Sequence, residues 1–145
     1  MSFKKILIAV DESSVAAHAA DLRLDLARQL GAEAAFITVV DPAVMSSASD
    51  SGVSADKWLA IAQREAKDLL NAFTSRAVAS PPPLMFVETG KPAAKIVGAA
   101  KNWPADLIVM GTHARNVVGE ILLGSVAHGV LHKAPCPVMV LKPRE

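Results

Sequence analysis

The chain predicts an α/β fold: a parallel, doubly wound sheet with helices on both faces. Five short aliphatic runs alternate with stretches whose apolar residues step by three or four, and glycine or proline marks most junctions. The runs are continuously apolar rather than alternating, as in strands buried on both faces, and parallel neighbours need a crossover between them.

Residues 5–10 read as the first strand, β-branched and apolar after Lys5. Ser13 or Ser14 can cap the following helix, whose apolar face is expected at Val15, Ala19, Leu22, Leu26 and Leu30. Gly31 stands just past its end, where a left-handed residue is wanted. Residues 34–40 form the second strand. After Asp41-Pro42, residues 46–54 are rich in Ser, Asp and Gly without periodicity; they read as a surface linker, with a lid as the alternative. Ser54 opens a long helix carrying Trp58, Ala62, Ala66, Leu69 and Phe73, and Ser80-Pro81-Pro82-Pro83 stops it. Residues 84–87 are the third strand. Pro92 is tolerated in the first turn of a helix whose apolar side is Ala93, Ile96, Val97 and Ala100. Residues 107–110 are the fourth strand and 111–123 a loop winding towards helix. Gly124-Ser125 opens the last helix, through His132, and Val138, Met139, Val140 and Leu141 are the fifth strand.

Composition narrows the function classes. The 145 residues fit one domain, expected over 1–145, and 52% hydrophobic residues allow a buried core. The net charge is +1 with no basic stripe, which argues against a nucleic-acid surface. The first apolar segment ends at Asp11, too short for a signal-peptide core or a membrane span. One cysteine excludes an intramolecular disulfide and fits a cytoplasmic location.

In a doubly wound sheet, ligands sit outside the carboxyl ends of the strands where strand order reverses. Those ends offer Asp11, then Val39 with Val40 and Asp41, then Gly111. From Gly111 to Ser125 the chain reads Gly-Thr-His-Ala-Arg-Asn-Val-Val-Gly-Glu-Ile-Leu-Leu-Gly-Ser. Glycine after a strand allows close backbone approach to an anion, and Gly124-Ser125 at a helix start offers free amides and a hydroxyl. Arg115 can add a charge-assisted contact to a phosphate. Glycines after strands also serve turn geometry alone, so spacing by itself leaves both readings open.

Longer stretches add to this. Ile-Leu-Ile-Ala-Val-Asp-Glu-Ser, Gly-Lys-Pro-Ala-Ala-Lys-Ile-Val, Ala-Asp-Leu-Ile-Val-Met-Gly-Thr-His and Leu-Leu-Gly-Ser-Val-Ala followed by Ala-Pro-Cys-Pro-Val occur in order between Lys4 and Leu141. They resemble the universal stress protein family. The resemblance implies a Rossmann- or flavodoxin-like sheet in the order 3-2-1-4-5 and a stress-response module. The family's ATP-binding members carry Gly, two residues, Gly, nine residues, then Gly with Ser or Thr. Gly111 matches the first position and Gly124 with Ser125 the last, but Ala114 replaces the middle glycine. If that position needs a positive φ, alanine costs about 1 kcal/mol or more; if it needs only a small side chain, one methyl is tolerated.

The resemblance further implies ATP, with or without Mg²⁺, as the ligand. Asp11 would contact the adenosine end and backbone at Val39 the adenine, while Gly111, Gly124 and Ser125 would hold phosphates. Thr112, His113, Ala114, Arg115 and Val126 complete the candidate set. The fifth strand, apolar and at a sheet edge, is the expected homodimer contact. The alternatives are a nucleotide-free dimeric interaction protein and a slow ATPase; no paired base and metal cluster points to fast hydrolysis.

Other readings are set aside on residues. Neither a Walker sequence nor Gly-x-Gly-x-x-Gly is present. His128 and His132 share a helix face but lack a third ligand by sequence. Cys136, between two prolines, reads as a structural thiol rather than a nucleophile. A response-regulator receiver would need an Asp after the third strand, where Val87-Glu88-Thr89 stands.

Overall fold

The structure, a computed structural model, describes residues 2–11, 17–43, 52–75, 82–112 and 123–142. Strands and helices alternate: β1 (Lys5–Ala9), α1 (Ala17–Leu30), β2 (Glu33–Val40), α2 (Ala55–Thr74), β3 (Leu84–Thr89), α3 (Pro92–Asn102), β4 (Leu107–Gly111), α4 (Ser125–Lys133) and β5 (Val138–Leu141). The five strands pair in the order β3-β2-β1-β4-β5, every pair parallel. This is the sheet the sequence predicts.

The side-chain period of two divides the strands between two cores. On one face Ile6, Ile8, Phe36 and Val109 pack with Ala27 of α1 and Leu70 and Phe73 of α2. On the other, Leu7, Ile37, Ile108 and Met110 pack with Ile96 and Ala100 of α3 and Ala127 and Val130 of α4. Phe36 and Phe73 tie α2 to the sheet through rings 5.5 Å apart, within the range of favourable aromatic pairing.

Two helix faces differ from expectation. In α1, Leu22 and Leu30 are exposed, whereas Arg23 and Ala27 point inward. The pattern of leucines misleads because Arg23, read as polar surface, occupies an inner position. In α2, Leu70 is fully buried beside Ala66 and Phe73, while Trp58, Ala62 and Leu69 are only half-buried. Ser54 does cap α2, its hydroxyl accepting from Lys57 N at 3.3 Å. Gly31 has φ 62°, the left-handed value expected past a helix end. Ser13, Ser14, residues 46–51 of the linker, Ser80 and Pro81 of the proline stop, and most of the loop after β4 lie outside the described residues. Among the described residues no helix is long and apolar enough to cross a membrane.

At the amino end of the sheet one carboxylate joins two strands. Asp106 Oδ2 accepts from the backbone N–H of Lys4 at 2.8 Å and of Lys5 at 2.9 Å. The Asp106 N–H donates back to Lys5 O at 2.7 Å. These backbone donors, helped by the charges of Lys4 and Lys5, hold the Asp106 carboxyl below its ordinary pKa. A carboxyl with a lowered folded-state pKa contributes stability above its unfolded pKa, and the contribution vanishes as pH falls through the folded value. Asp106→Asn is therefore expected to melt lower than the parent at neutral pH. The two melting temperatures should converge as the medium is acidified below the ordinary carboxylate range, which a pH series of thermal melts checks.

Candidate functional site

A solvent-open cavity of about 190 Å³ lies at the carboxyl ends of β1, β2 and β4. Its place follows from connectivity: from β1 the sheet grows one way through β2 and the other through β4, and the departing chains leave a crevice between them. β1 and the residues after it supply Ala9, Val10 and Asp11; β2 supplies Ile37, Thr38 and Val39; β4 supplies Met110 and Gly111. Pro92 and Ile96 come from α3 and Val126 from α4. The walls are mainly aliphatic, and the Asp11 carboxylate is the charged group among them.

Two helices begin at this cavity. The N-cap of α3 is Lys91 and that of α4 is Gly124, and neither supplies a side-chain capping bond. The first-turn amides of α4 thus meet no side chain of their own cap residue, and both helices direct the positive end of their dipoles to the same rim. Pro92 has no N–H to give, so α3 contributes mainly field. The helices sit close because Gly129 lets them: a Cβ there would lie 2.8 Å from Ala93 Cβ.

The candidate phosphate segment is closed at its base. Gly124 N donates to Thr112 O at 2.9 Å, and Thr112 N donates to Leu141 O at 3.3 Å. The start of α4 is thus fastened to the end of β4, and that to the end of β5. Thr112 is 4% exposed, and its Oγ1 has no hydrogen-bond partner among the described residues.

Of the residues proposed from sequence, Asp11, Val39, Gly111 and Val126 line the cavity. Thr112, Gly124 and Ser125 stand beside it at the fastened base, with Ser125 exposed. His113, Ala114 and Arg115 lie outside the described residues. Sequence reasoning missed the other lining residues, Ala9, Val10, Ile37, Thr38 and Met110 on the strands and Pro92 and Ile96 on α3. The strand-end rule, applied to the start of α3 as well, would have found most of them. It also missed Arg23 of α1, only 5% exposed. A Cβ on Gly111 would lie 3.2 Å from Arg23 Nη2. Burial lowers the Arg23 pKa, and the negative charge of Asp11 raises it.

Two further sequence features have plain structural readings. The rings of His128 and His132 lie 4.6 Å apart on exposed α4 turns, and among the described residues no three metal-ligating side chains converge. Burial, and then the charge of Asp106, push the Cys136 thiol up, the opposite of what an activated nucleophile needs.

The fold and cavity together define a doubly wound α/β protein with a crevice at the strand ends. The chain belongs to the universal stress protein family, whose family model matches residues 2–142. A universal stress protein of Methanocaldococcus jannaschii is 37% identical over 142 residues, 97% of this chain and 82% of that one. Among solved structures, hypothetical protein MJ0577, the subject of a structure-based assignment of biochemical function, superposes with a TM-score of 0.79. It is 25% identical and covers 100% of this chain and 99% of its own. A universal stress protein solved in complex with cAMP has a TM-score of 0.61 and 18% identity over 98% of each chain, a likeness of fold.

Replacing Gly129 by valine should press a branched side chain against Ala93 and push α4 off α3. We expect a loss of about 1–3 kcal/mol, typical of overpacking, read as a lower urea midpoint.

Proposed function

We propose that this universal stress protein is an ATP-binding stress-response module of the cytoplasm, folded as one domain over 1–145 and acting without fast chemistry. The observation that carries the reading is the convergence of an apolar crevice, one carboxylate and two helix starts lacking side-chain caps on a single rim. The aliphatic walls suit a flat heterocycle, and the backbone at Val39 meets the adenine. Asp11 accepts from the adenosine end. The amides at Ser125 and Val126, with Gly111, Thr112 and Gly124 beside them, face the phosphates, where anions gain from the helix dipole. By the family resemblance His113, Ala114 and Arg115 complete the phosphate loop, and Mg²⁺ accompanies the phosphates. When bound, the nucleotide would supply a charge that favours one arrangement of the strand-end loops.

Calorimetric titration of ATP with Mg²⁺ into the purified chain tests this, with Ala114→Gly beside it. We expect micromolar binding by the parent and equal or tighter binding by the variant. Heat from the variant alone would mean that the alanine has closed the site, and silence from both would remove the nucleotide reading.

A second reading, that the chain acts as a homodimer through β5, draws on the sheet edge. β5 is the outermost strand on its side, and Met139 is 37% exposed. Pro137 O and Leu141 O accept from β4; by strand alternation the amide of Val140 then points away from the sheet. That leaves outward donors and acceptors for a second copy. Val140→Pro deletes an outward donor while leaving the bonds to β4 in place. We expect a folded monomer by sedimentation velocity where the parent runs as a dimer.

A further inference from the structure

The inference concerns Arg23, and it rests on the ATP reading for its functional half only. Gly111 ends β4, and its φ lies outside the positive range found at Gly31, Gly52 and Gly90. Backbone conformation therefore does not demand glycine there. Direction does. Along β4, Leu107 and Val109 face the core beneath α1 and α2, while Ile108 and Met110 face the core beneath α3 and α4. Gly111 continues the first set, so a side chain on it would point away from the cavity-side core and towards α1. What it would meet is the Arg23 guanidinium, 3.2 Å from the position of a Cβ.

Arg23 is 5% exposed, and a guanidinium is costly to bury unless a negative charge accompanies it. The carboxylate acting on it is Asp11, which stands on the cavity rim. Arg23 thus lies beneath the strand ends, with Gly111 giving it room and Asp11 giving it countercharge.

We propose that Arg23 is a positioning residue: seated in the space left by Gly111, it fixes the Asp11 carboxylate at the rim for the adenosine end of the nucleotide. Glycine at 111 then gives the arginine room from below, besides its place in the cavity lining.

Thermal melting of Gly111→Ala, Arg23→Met and the double variant tests the seat with no ligand present. Alanine at 111 should lower the melting temperature clearly beside Arg23 and much less beside the unbranched, uncharged methionine. Equal losses in both backgrounds would overturn the seat. Titration of ATP with Mg²⁺ tests the positioning. Arg23→Met should weaken binding about tenfold, and Asp11→Asn should cost much less in that variant than in the parent. Arg23→Lys, which keeps the charge, should recover part of the affinity. Full affinity in Arg23→Met, or independent effects of the Arg23 and Asp11 changes, would overturn the positioning role. Should the parent itself ignore ATP, the nucleotide reading and the positioning role fall together, and the melting cycle still decides whether Arg23 and Gly111 are interlocked.

Discussion

The rest of the structure depends on the complete enclosure of β1. Ile6, Leu7 and Ile8 have no exposed surface, and β1 pairs with β2 on one edge and β4 on the other. A strand in that position must send apolar side chains to both faces, so its sequence cannot alternate. It also forces helices onto both sides, because neither face can be left to water. The reversal of strand order beside it opens the crevice into which Asp11 projects. The hydrophobic requirement of Ile6, Leu7 and Ile8 thus determines both the layering and the location of the cavity.

The two ends of the sheet do different work. At the amino end, Asp106 gathers backbone donors from the chain entering β1 and fastens β4 to it. At the carboxyl end the corresponding helix-start donors lack side-chain caps, and the nearest carboxylate is engaged with a buried cation. At the closed end a side chain collects backbone donors; among the described residues at the open end none of the cap residues does so. That asymmetry is the physical core of the nucleotide reading.

Much of the fold was legible because its signals are local. Continuous apolar runs, the Ser54 cap, the glycine after α1 and Pro92 in a first turn each act within a few residues, and each element appears where those signals put it. The inner faces of α1 and α2 were harder. Leu22 and Leu30 fit a helical stripe, but a rotation that places Ala27 against the sheet exposes both, and the inward position goes to an arginine. Nothing adjacent in sequence announces that Arg23 has a countercharge at Asp11 or a vacant Cβ at Gly111, since both are tertiary facts. The same holds for Gly129, whose reason is a methyl on another helix. Of the candidate site, the strand-end members were readable from topology, whereas the contribution of α3 required the packed helices.

The position of β5 has a geometric consequence for assembly. A parallel ladder is not self-complementary under a two-fold operation, since each strand offers its partner a different set of groups. Two copies joined symmetrically along this edge must therefore run antiparallel at the seam, although every strand within each sheet is parallel. The carboxyl rims of the joined sheets then point in opposite directions. Each crevice would open at its own end of a continuous sheet, with the paired β5 strands as the shared element between them.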